Sequence, residues 1–434
     1  MSGSCREKLV DAINNLTQED VNYSKFFTEL YVERTYSHRA EELVNLFELS
    51  QDTKSIIFSG QIGCGKTTEL RHVKFLLESS KRKKFVVIFA SPFLDGIHIA
   101  DLEESDILIG IFADILIHIP DSVDLPKKTI SRLEELLKKL DDNSDIYFTK
   151  GDAKTITAGL FSLFSLKINT SNEIKKKFRN NTEKNMKIIV SLFDDILEWI
   201  KVKNKTEQIV IIVDDLEKIV RDEVIIKFLR KYGNIILKRK CNFVITISNN
   251  IQFYTEGARG INTFDEFFCL PFIAIKDSHG SNNSNEINKI KNIIYRRMSK
   301  DVIDDAALEL AIIYSGGSLS TLFRIYGMAI NKVSLNDQCK VTPEFVVEAF
   351  YDARFRDNFI GDDRLENLRR IYRIKGDYAK LPPEELKDCL YTCILLTYRD
   401  ENNNNIERYV LNPSFYTLED LKKIEKKYNT VSPG

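Results

Sequence analysis

Residues 55–70, SIIFSGQIGCGKTTEL, place three glycines, a lysine and two threonines directly behind a short apolar run. Gly60–Thr67 fits G-x-x-x-x-G-K-[ST], and it falls where such a turn can act, after a strand and at the opening of a helix. Glycines let successive backbone N–H groups face phosphate oxygens with no Cβ in the way, and the helix N-terminus adds partial positive charge. Lys66 would then neutralise β and γ phosphates, and Thr67 would offer its hydroxyl to Mg²⁺. The plain alternative is a glycine turn that serves tight packing.

A second stretch, IVIIVDD at residues 209–215, is an apolar run whose carboxylates emerge at its C-terminal end, where open parallel sheets bind ligands. Asp214 would hold Mg²⁺, usually through water, because that ion keeps most of its hydration shell. A γ-phosphate also needs a group to orient or deprotonate the attacking water, and both Asp215 and Glu217 are candidates. Acidic residues end many strands without any such task.

With these two stretches the chain resembles P-loop ATPases of the AAA+ and STAND kind, in particular a bacterial group with GQIGCGKTTEL-like and VDDLEK-like motifs. KAP-type and origin-recognition-type ATPases look similar in places. The resemblance spans about residues 35–335 and is concentrated at the two motifs. It implies a five-stranded parallel core, a helical lid, nucleotide-driven assembly, and ATP with Mg²⁺ as cofactors. Gly60, Gly63, Cys64, Gly65, Lys66, Thr67 and Thr68 would line the nucleotide, with Thr67 and Asp214 at the metal. Three further roles follow from the resemblance. VITISNN offers Asn249 as the polar contact to the γ-phosphate, with Ser248 and Asn250 as neighbours. Arg259 in TEGARGINTF takes the place of an arginine finger, or is a surface arginine. GGSLSTLFR offers Arg324 as a lid arginine, while Ser320 stands where the family pattern has its first arginine.

Other residues carry less. Cys64 lies beside a helix N-terminus and Lys66, where a thiolate is favoured, although it also serves as a small loop residue. Cys389 and Cys393 sit one helical turn apart with no nearby histidine to complete a metal site. The five histidines are scattered, and KRKK (81–84) and KRK (238–240) read as solvated turns.

The elements that must position these groups follow from periodicity. SIIF, KFVVIFA (84–90), QIVIIVDDLE (208–217) and NFVITISNN (242–250) are apolar enough to be strands buried on both faces of one parallel sheet. TTELRHVKFLLES and RDEVIIKFLRKYGNIILKRK read as helices that cover it. CREKLVDAINNL and RAEELVNLFEL show helical spacing, the latter with Ser37 as N-cap. Residues 100–205 read as helical, with DAKTITAGLFSLFSLKIN as an interruption in the form of a hairpin. Beyond the loop SHGSNNSNEIN come further helices, and then ILLTYRD and ERYVLN flank ENNNN as a second hairpin. The expected organisation is an N-terminal helical arm (1–36), an ATPase core with a helical insertion (37–277), a helical lid (278–340) and a small winged-helix-like domain (341–434).

The 434 residues are 43 % apolar, enough for a substantial core in more than one domain, and 63 basic against 64 acidic side chains leave no whole-protein field toward nucleic acid or anionic membranes. Seven cysteines without C-x-x-C spacing, and no signal-like start, read as reduced thiols in a cytoplasmic protein. No apolar run reaches the roughly 20 residues that span a bilayer. The expected activity is slow or partner-stimulated ATP hydrolysis by a homo-oligomeric switch acting on a separately encoded effector, with bacterial anti-phage defence as a setting. A DNA-binding initiator or loader is the alternative, although the wing YRDENNNNIERY has two arginines against three acids. A nucleotide-binding scaffold with little turnover is the third, because the Asp215 side chain is a methylene shorter than glutamate.

Overall fold

The computed structural model describes residues 3–17, 26–34, 38–91, 101–120, 124–141, 153–219, 221–237, 240–357, 368, 371–372, 374, 376, 378–399 and 407–429. Ser37 and most of the KRK turn lie outside them. In chain order the elements are α1 (Gly3–Thr17), α2 (Arg39–Leu49), β1 (Ser55–Ser59), α3 (Lys66–Glu78), β2 (Phe85–Ala90), α4 (Glu104–Ile117), α5 (Lys127–Leu140), α6 (Ala153–Ile168), α7 (Asn172–Lys184), α8 (Met186–Asn204) and β3 (Gln208–Val213). There follow α9 (Asp222–Leu237), β4 (Asn242–Ile247), α10 (Thr255–Ile261), β5 (Glu266–Cys269), α11 (Ser284–Tyr295), α12 (Asp305–Ser315), α13 (Leu319–Leu335), α14 (Pro343–Asp357), α15 (Pro383–Tyr391), β6 (Leu395–Arg399), β7 (Glu407–Leu411) and α16 (Leu418–Asn429).

The chain gathers into two compact units, one of Arg39–Gly60 with Lys66–Cys269, the other of Met1–His38, Gln61–Gly65 and Leu270–Gly434. The first is an α/β unit, a parallel sheet of order β2-β3-β4-β1-β5 flanked by helices. Strands β1, β3 and β4 are buried at every position, as their unbroken apolar runs require of strands covered on both faces. At the entry edge Asn242 is fully buried. It accepts from the Lys54 amide at 2.7 Å and donates to Gln208 Oε1 at 2.9 Å, which locks the starts of neighbouring strands together. Helices α4 to α9 bury Ile111, Phe112, Leu136, Leu192, Ile196 and Phe228 in one core with the sheet.

Two expectations change here. DAKTITAGLFSLFSLKIN is not a hairpin but lies mostly within helix α6, and Leu160, Leu163 and Phe164, spaced at i, i+3 and i+4, supply its buried face. The β-branched Thr155-Ile156-Thr157 run suggests extended chain, and packing against the helical layer overrides that local preference. The fifth strand, β5, has no counterpart among the sequence-predicted strands. It is a 4-residue edge strand with an exposed Glu266, too short and too polar for periodicity to reveal.

The second unit packs helices α11 to α14 with α1 and continues through α15 into an antiparallel hairpin, Leu395↔Leu411 to Arg399↔Glu407, and the helix α16. The Tyr314 and Phe350 rings stack at 4.0 Å in its core. Cys339 is disulfide-bonded, against the expectation of seven thiols, whereas Cys64, Cys241, Cys269, Cys389 and Cys393 are outside any disulfide. Among the described residues no helix is long and apolar enough to cross a membrane.

Candidate functional site

The glycine stretch joins β1 to α3, and the turn begins with the Cys64 amide donating to the Gln61 carbonyl at 3.3 Å. Gly63 and Gly65 have φ of +85° and +96°, a region that L side chains rarely adopt. A Cβ on Gly63 would collide with the Ser320 hydroxyl, and one on Gly65 would stand 2.7 Å from Arg34 Nη2. The buried Arg34 guanidinium donates to the Cys64 carbonyl and, at 3.0 Å, to that of Pro271. The loop is thus a glycine-dependent cradle held from outside, with Cys64 itself buried.

In the α/β unit the Lys66 side chain is nearly fully buried at the first position of α3, and Nζ donates to the Gly60 carbonyl at 3.0 Å and pairs with Glu217 Oε1 at 3.2 Å. The other Glu217 oxygen accepts from the Thr246 hydroxyl at 2.7 Å. Burial works to raise the Glu217 pKa, but Lys66 and Thr246 outweigh it and hold the group below the usual carboxylate range. Asp215 has φ of +71° and is turned into a 2.6 Å ion pair with Lys218.

Asp214, directly after β3, is fully buried, and among the described residues neither of its carboxylate oxygens has a regular hydrogen-bond partner. Thr67 and the Asp215 amide lie close enough to relieve part of that cost. Burial, and then the neighbouring Glu217 charge, push the Asp214 pKa up to about 6. Oxygens of Asp214, Asp215 and Glu217 lie within 4.8 Å of one another, as a shared cation would require. The donor set suits a hard divalent ion such as Mg²⁺: oxygen ligands only, one of them an orphaned buried carboxylate at the tip of a parallel strand.

The remaining expected residues divide. Asn249, after β4, is buried with its Nδ2 unpartnered, and the buried Asn250 side chain is unpartnered as well. The Ser248 side chain accepts from the Asn250 amide at 3.3 Å. Thr67 and Thr68 are half-buried on the first turn of α3. Arg259 is not gathered with these groups. It lies on α10 with 73 % of its side chain exposed and pairs with Glu256 at 3.1 Å. In the other unit Arg324 is exposed on α13, and Ser320 hydrogen-bonds Ser318 at 3.1 Å. Thr246, Arg34 and Gln61 escape sequence reasoning. Thr246 is a polar residue inside an apolar strand, and that break is the one signal that marks it.

No protein-family model matches the sequence, and no curated protein matches it significantly. Among solved structures the chain is similar to the Aeropyrum pernix ORC2 protein in its ADPNP-ADP complexes, at 13 % identity and TM-score 0.45 over 96 % of this chain and 97 % of that one. It is similar to Drosophila ORC bound to DNA at 11 % identity and TM-score 0.42, over 98 % and 93 %. It is also similar to the Thermotoga maritima RuvB Holliday junction branch migration motor at 11 % identity and TM-score 0.39, over 95 % and 98 %. A likeness this loose says nothing about what the chain binds or does.

Proposed function

We propose that the chain is a P-loop ATPase of the AAA+ kind that binds ATP with Mg²⁺, hydrolyses it slowly, and uses the bound nucleotide to switch its assembly or a partner. The observation that carries this reading is Asp214, a buried carboxylate with two unpartnered oxygens, in the same unit as a buried Lys66 that opens the helix behind a glycine cradle. Leaving such a group unsatisfied costs about 1–3 kcal/mol or more, a cost that a bound cation removes. When bound, Mg²⁺ neutralises charge on the phosphate oxygens.

The chain's own residues then divide the work. Loop N–H groups and Lys66 hold the phosphates, Thr67 and Asp214 hold the metal, and Asn249 contacts the terminal phosphate. Glu217, rather than Asp215, orients and deprotonates the water. Its reach is longer, and Asp215 is committed to Lys218. Lys66 must leave Glu217 to serve the phosphates, and the buried carboxylate then loses the charge that keeps its pKa low. Loading therefore readies the base, which suits a switch.

The exposure of Arg259 on α10 supports a role on a neighbouring copy. The partner setting, anti-phage defence included, rests on the motif resemblance alone. The initiator alternative would need a basic wing. Arg408 on β7 instead spends both terminal nitrogens on the carbonyls of Lys276 and Asp277, at 2.7 and 2.6 Å. The test is to measure particle size and phosphate release together, with and without ATP. Turnover that rises with assembly and is lost in Arg259→Ala with ATP affinity intact supports the switch. Equal turnover in both proteins removes Arg259 from the site, and ATP binding without phosphate release at any concentration favours the scaffold.

A further inference from the structure

The phosphate loop carries one side chain with no expected role in phosphate binding that is nevertheless buried. Gln61, 4 % exposed, belongs to the unit that also holds the C-terminal helix and hairpin. Its Nε2 donates to the Leu390 carbonyl at 2.8 Å and to the Leu395 carbonyl at 2.7 Å, and its Oε1 accepts from the Thr397 amide at 2.7 Å. Carbonyls only accept and an amide N–H only donates, so these partners fix the orientation of the carboxamide.

The placement has a simple logic. Leu390 is in the last turn of α15, and its carbonyl accepts from the Cys393 amide at 3.2 Å as well as from Gln61. Leu395 C=O and Thr397 N–H are residues i and i+2 of β6 and face the same side, as the two groups that the N–H and C=O of one residue in a neighbouring parallel strand would meet. The Thr397 carbonyl on that edge accepts from the Phe272 amide at 2.9 Å. The Gln61 carboxamide therefore stands in for a strand on the edge of β6 that β7 leaves open. Deeper in, the buried Tyr398 hydroxyl donates to the Gly316 carbonyl at 2.8 Å. On the loop side the Gln61 carbonyl receives the Cys64 amide, so the residue clamped by β6 is the one that starts the phosphate turn.

We propose that Gln61 is a positioning residue that ties the C-terminal hairpin to the phosphate turn: β6 holds that turn in its cradle form, so hairpin docking and nucleotide binding strengthen each other. The inference rests on the proposed nucleotide binding. Coupling of this kind is reciprocal, and each side can be read separately. In the full-length chain, Gln61→Met keeps the length of the side chain and removes its donors and acceptor. Its affinity for a fluorescent ATP analogue with Mg²⁺ is expected to fall about tenfold. In wild type a non-hydrolysable ATP analogue is expected to slow hydrogen exchange at the Thr397 amide severalfold, and in Gln61→Met that slowing should vanish. A group that only helped the hairpin to fold would raise exchange without making it depend on nucleotide. Equal affinities, or nucleotide that leaves Thr397 exchange unchanged or faster, overturn the coupling while nucleotide binding stands. Wild type that binds no nucleotide overturns the proposed function and the coupling with it. The wild-type exchange comparison needs no variant, so the inference can be tested even if Gln61→Met fails to fold.

Discussion

Asp106 and Asp214 are two buried carboxylates of the same α/β unit, and they are treated in opposite ways. Asp106, near the start of α4, is 1 % exposed and accepts from the Glu103 amide at 2.8 Å and from Arg179 Nε at 2.9 and 3.1 Å. Arg179 Nη2 adds a 2.7 Å contact. Asp214 is equally buried and has neither a cation nor a regular hydrogen bond of its own. Burial pushes both pKa values up; at Asp106 the arginine and the Glu103 amide take back only part of that rise, while at Asp214 the second influence is another acid, Glu217. A buried acid that is fully partnered within the chain serves the fold, and one with so little support at a sheet tip is a candidate for holding a ligand.

The contrast breaks most visibly at Asp106. Asp106→Ala strands Arg179 beside Glu103 and should cost about 3 kcal/mol, since removing one member of a buried, hydrogen-bonded ion pair leaves the other unpaired. Trp199, the chain's single tryptophan, lies on α8 of this unit and donates to the Asp124 carbonyl at 2.7 Å, so its fluorescence reports the unfolding. A loss under 1 kcal/mol would place Asp106 with the ordinary surface acids.

Within the acid cluster the sharper test is turnover. Glu217→Gln should lower ATP hydrolysis about 100-fold, which is about 2.7 kcal/mol of barrier. Asp215→Asn should change it a few-fold at most, because asparagine tolerates the left-handed backbone at that position. A reversed order in single-turnover assays would make Asp215 the base.

The smallest effect has the opposite sign to the first. Asp214→Asn should stabilise the nucleotide-free protein at pH 7.5 by about 1–2 kcal/mol, because it removes a charge that the fold disfavours. The folded pKa of about 6 lies above the unfolded value of about 3.9, so the stability tied to the protonated form is complete below pH 4 and is lost as pH rises through about 6. The advantage of the asparagine should accordingly shrink below pH 6. A destabilised Asp214→Asn at neutral pH would show that the carboxylate is structural after all.

The same physics explains what could be read in advance. Strands β1 to β4 are legible because burial on both faces demands unbroken apolar runs, and the glycine loop because its φ values demand those residues. Edge strand β5 is covered on too little of its surface to leave a pattern, and α6 is set by packing that local β-branched residues contradict. At the site the types and positions of Lys66 and Asp214 are visible from motif spacing, and Asn249 is offered by the family resemblance. The choice between Asp215 and Glu217 is not, because it turns on a backbone angle and on a threonine from another strand. Gln61 is invisible altogether: its partners lie between 329 and 336 residues away, and a glutamine in a loop has no periodicity to betray them.

The central proposal is that Lys66 and Asp214 of the α/β unit hold a magnesium-bound triphosphate, and a titration of ATP into wild type and Lys66→Ala, with and without Mg²⁺, tests it most directly. The account predicts magnesium-dependent binding by wild type that weakens at least 100-fold, about 2.7 kcal/mol, when the buried ammonium is removed. Equal affinities for the two proteins, or binding by wild type that ignores magnesium, would contradict it.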